Sequence, residues 1–339
     1  MTQSVDTSAN YWGTRTSPSG KYVAVADNSQ VQPPIHVIDA DTLDRHVLTA
    51  DGLTLEAMWL RNSDTLVAAY FPNGTETLGS ARIVTWSVPE LEAKGYPQGN
   101  GGIWSLAKVD VTVPKVGFDY SFSYTWVGIS PDDSLAVFPV IAQDKDGALT
   151  HELLVMNTAT GTLRTVPNAY GPVGFTPDGT TIVSYRYGAG SHAQLLLVDT
   201  ATLVPLAMNI PGGAAPSYFV TREGNDVVVA SNLGLSSLVL YDVSSHKFEK
   251  LGGPPLGLAD FVSRTGHDEV WLVDNGLFRL DFATANLKEI PLSWTPENVD
   301  ILPKRDLLVL DDTQSGDIRY FDPSSLSVTR TVKLPLGRK

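Results

Sequence analysis

The length, composition and charge of the chain describe a folded protein and exclude several functions. Of its 339 residues, 42% are hydrophobic and 18% charged, so the chain can bury a large core and is not disordered. The formal net charge of -13 repels phosphate backbones and anionic membranes, and no stretch is apolar enough for a transmembrane segment, so we expect neither nucleic acid nor a membrane span. Cysteine is absent, which excludes disulfides, thiolate metal sites and a thiol nucleophile.

The first ten residues are polar and lack the charged and apolar regions of a signal peptide. We expect a secreted or periplasmic bacterial protein whose signal peptide has been removed, since a chain without cysteine fits an exported protein. A cytoplasmic location is the alternative, because many cytosolic proteins lack cysteine as well. The oligomeric state is not indicated by the sequence.

A repeated pattern runs along the whole chain. Each copy has a turn of the Ser-Pro-Asp-Gly type, a β-branched strand, a loop, a strand that ends in Asp, and a Thr-rich turn. The clearest copies have turns that begin at Ser17, Ser130 and Thr176, and fainter copies have turns that begin at Leu60, Thr221, Ser263 and Leu302. The strands that end each copy finish at Asp39, Ser87, Asn157, Asp199, Asp242, Asp281 and Asp322. The last five of these positions are separated by 42, 43, 39 and 41 residues, which defines seven units.

Each unit is predicted to form four short antiparallel strands with two apolar faces. Such a sheet becomes stable only when it packs between neighbours in a closed ring. The sequence therefore predicts an all-β fold: a seven-bladed β-propeller of four-stranded antiparallel blades around a central channel, in a single domain of residues 1–339. The interval of 70 residues between Ser87 and Asn157 is too long for one unit, so we expect an insertion at about 96–126. The Asp that ends each unit is predicted to accept N–H bonds in the following turn.

The motifs resemble those of the YVTN-type propeller repeats, and the general layout is similar to the TolB and WD40 groups. The resemblance rests on Ser-Pro-Asp-Gly followed by a Val-rich strand, and on strands such as Val-Ile-Asp at residues 37–39 and Val-Asp-Thr at residues 198–200. It implies the fold alone, because these families include surface proteins, scaffolds and enzymes with no shared catalytic set.

The mouth of the channel is the first predicted site, because packing between blades occupies the faces of the strands. Counting back from each turn places Arg15 and Asp300 as neighbours across the junction of the first and last blades. They form either a salt bridge that closes the ring or a ligand contact. Other groups predicted at or near the mouth are Trp12, Glu56, Trp126, Asp260 and Glu297.

The aromatic insertion is the second predicted site. It contains Trp104 and Trp126, and aromatic residues alternate at positions 118, 120, 122 and 124 as in a strand. This face either packs on the barrel or forms a stacking platform for a sugar, a flat ligand or a partner protein, helped by Tyr187 and His192.

Metal and catalytic motifs are weak in this sequence. Asp144, Asp146, Gly147 and Glu152 match only part of a calcium loop, and the six histidines never show zinc-ligand spacing. We therefore predict no cofactor, with calcium or another divalent ion as an open alternative.

Two functional hypotheses remain. The first is a binding module that uses the channel mouth and the aromatic insertion to hold a protein, a glycan or a small ligand. The alternative is a propeller enzyme of the lactonase or lyase type, in which Glu56, Asp260, Glu297 and Arg15 act at the channel mouth, with or without a metal ion.

Overall fold

A computed structural model describes most of the strand-forming chain. The described residues are 11–27, 35–42, 44–48, 53–71, 79–96, 107–118, 127–143, 146–212, 215–221, 227–231, 238–242, 245–250, 260–263, 269–273, 275–281, 284, 286–302, 305–312, 315 and 317–332. Among them, no helix has the length and apolar character needed to cross a membrane.

Within these residues, 28 strands pair into six antiparallel sheets, numbered I to VI along the chain. Sheet I contains β1 (Tyr11–Thr16), β2 (Tyr22–Asp27), β3 (Ile35–Asp39) and β4 (Arg45–Val47). Sheet II contains β5 (Leu53–Trp59), β6 (Thr65–Phe71), β7 (Gly79–Ser87), β8 (Val109–Phe118), β9 (Gly128–Ile129), β10 (Leu135–Gln143), β11 (Leu149–Asn157) and β12 (Leu163–Pro167). One helix, α1 (Val88–Lys94), follows β7.

The other four sheets have four strands each. Sheet III contains β13 (Tyr170–Phe175), β14 (Thr181–Tyr187), β15 (Ala193–Asp199) and β16 (Pro205–Asn209), with a short 3₁₀ turn at Ala189–Ser191. Sheet IV contains β17 (Pro216–Thr221), β18 (Val227–Ser231), β19 (Leu238–Asp242) and β20 (Lys247–Lys250). Sheet V contains β21 (Asp260–Ser263), β22 (Glu269–Val273), β23 (Leu277–Asp281) and β24 (Asn286–Ile290). Sheet VI contains β25 (Pro296–Leu302), β26 (Leu307–Asp312), β27 (Ile318–Asp322) and β28 (Ser327–Val332).

The protein is an all-β propeller, as predicted, but the predicted number of seven blades is wrong. The structure has six, because the second and third repeats share the eight-stranded sheet II. Strand β8 pairs with β7 from Val109 to Val116, and its end at 116–118 then pairs with residues 140–142 of β10. The hydrogen bonds of one long strand therefore join two units that the repeat pattern treats as separate. This strand lies inside the predicted insertion.

The sheets follow one another around an axis, and the first strand of each sheet is in contact with a neighbouring sheet. Strand β1 contacts β5 and β25, β13 contacts β10 and β17, and β21 contacts β17 and β25. Apolar clusters fill the spaces between sheets, as expected for sheets with two apolar faces. The largest fully buried side chains in the described residues include Trp86, Trp271, Tyr185, Tyr241, Tyr320, Phe138, Phe175 and Phe321.

In six of the seven repeats the Asp or Asn that ends the repeat caps the next turn, as the sequence predicts, whereas Ser87 at the end of the second repeat makes no side-chain cap. Asp39 Oδ1 accepts from the backbone N–H groups of Asp41 (2.8 Å) and Thr42 (2.9 Å). The same bonds to N–H groups two or three residues on are made by Asn157, Asp199, Asp242, Asp281 and Asp322. These side chains therefore hold the turns between the third and fourth strands.

Five of the six first strands share a further feature, an irregularity of register a few residues before the turn, while the described part of β21 pairs regularly. The irregularity lies between Trp12 and Arg15 in β1, Thr54 and Glu56 in β5, Tyr170 and Gly174 in β13, Pro216 and Tyr218 in β17, and Pro296 and Val299 in β25. An extra residue in one strand interrupts the alternation of side chains between the two faces. The two ends of each of these strands therefore follow different registers.

Side chains rather than a shared strand close the ring between sheets VI and I, since no sheet of the described chain contains strands from both. The apolar part of this seam includes Val23, Ile38, Leu302 and Tyr320. At its rim, Arg330 Nη2 donates to the backbone oxygen of Ala40 and to Asp41 Oδ1, both at 3.0 Å.

Helix α1 packs on the junction of sheets I and II. Val88 and Leu91 are buried in the apolar cluster of this junction. On its exposed side, Glu92 accepts hydrogen bonds from Lys21 Nζ at 2.9 and 2.7 Å and from the hydroxyl of Tyr22. The helix therefore links two neighbouring sheets by both apolar and polar contacts.

We expect Gly161→Ala to destabilise the fold by about 1–3 kcal/mol through overpacking. Gly161 has a φ of +71°, and an added Cβ would lie 2.7 Å from Val111 and 2.9 Å from Val109, both in β8. Gly212→Ala is the matched control, because Gly212 has a φ of +83° with no atom near its missing Cβ. Urea unfolding of both variants measures the difference, and equal losses would show that the contact with β8 costs nothing.

We expect Glu92→Gln to lower stability at pH 7 but not at pH 3. Hydrogen bonds from Lys21, followed by the one from Tyr22, hold the pKa of Glu92 below its usual value. Because the pKa is lower in the folded chain, the carboxylate stabilises the fold above its unfolded pKa of about 4.3, and this contribution disappears as the pH falls through the folded value.

The pair is exposed, so the loss at pH 7 should stay below about 1 kcal/mol. Urea unfolding at pH 7, 5 and 3 measures the loss of stability. A double-mutant cycle with Lys21→Gln and the Lys21→Gln/Glu92→Gln variant then gives the interaction energy between Lys21 and Glu92. A difference from wild type that is constant over this range would contradict the assignment.

Candidate functional site

Four aromatic side chains from sheets II and III form a contiguous group, which we call the aromatic cluster: His151, Tyr170, Tyr185 and Tyr187. Tyr170 stacks on His151 with ring centroids 4.0 Å apart, and on Tyr185 at 5.3 Å. Tyr187 meets Tyr170 and Tyr185 edge to face, at 5.1 and 5.6 Å. Tyr185 is fully buried, whereas Tyr187 is 40% exposed. The rings of the cluster therefore pack on one another, and Tyr187 is the tyrosine of the cluster that is exposed to solvent.

A row of polar side chains lies on the other face of sheet III, because Arg186 stands between Tyr185 and Tyr187 and successive side chains of a strand point to opposite faces. Arg186 Nε donates to Gln194 Oε1 at 2.9 Å, and Gln194 Nε2 donates to Asn209 Oδ1 at 2.8 Å, which forms a row across three strands. His192 lies in the loop from β14 to β15, where its backbone oxygen accepts from the N–H of Gly188 at 2.8 Å. The polar row and the exposed ring of Tyr187 therefore lie at neighbouring positions but on opposite faces of sheet III.

Arg15 and Asp300 come together at the seam between sheets I and VI, as predicted. Asp300 Oδ2 accepts from the backbone N–H of Thr16 at 3.1 Å, and Oδ1 accepts from that of Ile301 at 2.8 Å. Burial raises the pKa of Asp300, and the nearby charge of Arg15 opposes this rise. These contacts give Asp300 a part in closing the ring, while a ligand contact stays a prediction.

Arg61 lies next to this seam, in the turn that follows β5. Its Nε donates to the backbone oxygen of Ile129 at 3.0 Å. Its backbone N–H and that of Asn62 are both bound by the carboxylate of Asp133, at 2.5 and 2.9 Å. Burial lowers the pKa of Arg61, against the charges of Asp133 and Asp300.

The structure describes the predicted site residues to different extents. Trp104 and Trp126 lie outside the described residues. Of Trp12, Glu56, Asp260 and Glu297 only the backbone is described, in β1, β5, β21 and β25. Arg15 and Asp300 form one group, and Tyr187 and His192 lie near each other at the ends of β14 and β15.

Sequence reasoning missed Arg61, Asp133, His151 and Tyr170. One signal was available for Asp133, because it stands where two other repeats have Gly20 and Gly179. Its φ of +65° matches the +75° and +73° of these glycines, a conformation that residues other than Gly adopt rarely. A non-glycine residue at such a position suggests that its side chain has a structural use.

The described residues contain no group of three or more His, Asp or Glu side chains that could hold a metal ion. Two neighbouring carboxylates at the end of β26 have other partners. Asp311 binds the backbone and side-chain amides of Asn298 at 2.6 and 2.7 Å, and Asp312 pairs with Arg319 at 2.6 Å. Asp144 of the partial calcium loop lies outside the described residues.

Comparison with known proteins supports the fold and no closer relationship. No family model matches the chain, so the YVTN-type resemblance is not confirmed at the level of a family. No curated protein matches it in sequence either.

Solved structures share the propeller fold. Oligogalacturonate lyase in complex with manganese has a TM-score of 0.62 at 13% identity, over 94% of this chain and 90% of that one. The propeller domain of the Trilobed protease from Pyrococcus furiosus, described as having an open velcro topology, has a TM-score of 0.55 at 13% identity, over 84% and 82%. A prolyl endopeptidase has a TM-score of 0.60 at 9% identity over 96% of this chain, which spans 50% of that protein. At these identities the likeness shows the fold alone.

We expect Asp133→Gly to destabilise the protein by about 1 kcal/mol, although glycine suits the left-handed backbone better. The reason is that the N–H groups of Arg61 and Asn62 lose their acceptor. Asp133→Asn keeps a side-chain oxygen and tolerates this conformation, so its loss should be smaller. Denaturant unfolding compares the three proteins. If Asp133→Gly were as stable as wild type, the carboxylate of Asp133 would not stabilise the turn at Arg61 and Asn62.

Proposed function

We propose that the protein is a binding module that holds a glycan on the aromatic cluster of sheet III. The observation that carries this proposal is the exposed ring of Tyr187, fixed edge to face against two further tyrosines. A ring held in place by its neighbours loses little conformational entropy when a ligand stacks on it. The apolar face of a sugar ring is a suitable partner for such a surface.

A glycan stacked on Tyr187 would draw its hydrogen bonds from the strand ends rather than from Arg186 and Gln194. These two residues are cross-strand partners one position along from Tyr187, so their side chains lie on the opposite face of sheet III. His192, which is exposed in the loop from β14 to β15, is the polar residue we expect to bind a ligand hydroxyl group beside the ring.

The alternative is an enzyme of the lactonase or lyase type at the channel mouth. It is favoured by one finding, the shared fold with oligogalacturonate lyase in complex with manganese. We rank it second because the acidic residues it needs, Glu56, Asp260 and Glu297, are described only by their backbone. A divalent ion belongs to this alternative and is not required for glycan binding.

We expect Tyr187→Ala to weaken glycan binding about five- to tenfold, because loss of one stacked aromatic ring removes about 1–1.5 kcal/mol. Calorimetric titration with neutral cello-oligosaccharides and with oligogalacturonates measures this loss. Tyr187→Phe keeps the ring and should bind nearly as wild type. Val328→Ala, a control on sheet VI at a site 36% exposed, should change nothing.

The same samples test the alternative function. Turnover of an oligogalacturonate that requires added Mn²⁺ and survives Tyr187→Ala would favour the lyase. Wild-type protein that binds neither class of oligosaccharide would overturn the glycan proposal.

A further inference from the structure

The guanidinium group of Arg61 has donors that the protein does not use. An arginine has five N–H donors, and only the one on Nε has a partner, the backbone oxygen of Ile129 at 3.0 Å. Within the described part of the chain, neither terminal nitrogen of Arg61 makes a hydrogen bond, and no carboxylate lies within ion-pair distance. The residue is nevertheless exposed. The four N–H groups on the two terminal nitrogens of Arg61 are therefore available to a ligand.

The surroundings of Arg61 are neutral overall, on a protein whose formal net charge is -13. The charges of Arg15 and Arg61 act on the carboxylate of Asp300, and the charges of Asp133 and Asp300 act on Arg61. Two cations and two anions from sheets I, II and VI therefore converge at this point.

This place is distinct from the aromatic cluster. Arg15 and Asp300 lie near the ends of β1 and β25, and Arg61 follows the end of β5, so all three are at the turn side of the ring. Tyr170 begins β13, so it lies at the opposite end of a first strand. A ligand at Arg61 would therefore leave the glycan surface free.

We propose that Arg61, supported by Arg15, forms a binding site for the carboxylate of an acidic ligand on the turn side of the ring. A planar guanidinium binds a carboxylate through two parallel hydrogen bonds. A monoanion would meet less repulsion from Asp300 and Asp133 than a phosphate dianion would. The carboxylate belongs either to a small organic acid or to the end of a peptide.

Titration with ¹³C-labelled acetate, followed by NMR at constant ionic strength, tests the proposal. Wild type should bind acetate, and Arg61→Gln should weaken binding at least tenfold, with Arg61→Lys in between. Arg164→Gln is the matched control, because Arg164 Nη1 and Nη2 already donate to Ala201 and Thr200 oxygens at 2.9 and 3.0 Å, and it should bind as wild type. Asp300→Asn should tighten binding, since it removes a neighbouring negative charge.

Two further probes identify the source of the carboxylate and the limits of the proposal. Tighter binding of N-acetyl-dialanine than of acetate would assign the site to a peptide end, and the reverse order to a small acid. Phosphate that binds more tightly than either would overturn the carboxylate assignment. Acetate binding that is absent from wild type, or unchanged in Arg61→Gln, would overturn the site. Both results are independent of any oligosaccharide binding.

Discussion

The structure depends on one constraint: every sheet has two apolar faces, and each face must be covered by a neighbouring sheet. The clusters around Trp86, Tyr241 and Trp271 lie between sheets, and none of these side chains is covered by its own sheet alone. The first and last sheets must meet for the same reason. Leu302 and Val23 make this contact without a shared strand, and Asp300 adds a polar bond across it.

Much of the architecture could be predicted from the sequence, because turns repeat their chemistry. Asp39 and Asp199 cap their turns as their position before a Thr-containing segment indicates. The number of sheets could not be predicted, since it depends on a hydrogen-bonding partner at the far end of β8. Nothing in the composition of residues 109–118 shows that this strand changes partner along its length.

The site was predictable only close to the turns. Arg15 and Asp300 lie on the turn side of the irregularities of their strands, where counting back keeps the register. Glu297 lies inside the irregularity of β25, where alternation no longer indicates the direction of a side chain, whereas Glu56 bounds the irregularity of β5 on its turn side as Arg15 does in β1. Tyr170 was missed for a similar reason, because it acts through His151 of another sheet, a contact that no local pattern contains.

Strand β8 has a consequence for how the ring comes apart. Backbone hydrogen bonds run without interruption from β5 to β12, whereas in the described part of the chain the other neighbouring sheets share no strand. Separating the two halves of sheet II would break the pairing of β8 with either β7 or β10, so we expect the strands of this sheet to stay together under load. The other junctions between sheets should therefore open first. Amide protons at those junctions should exchange with solvent before the amide protons of sheet II.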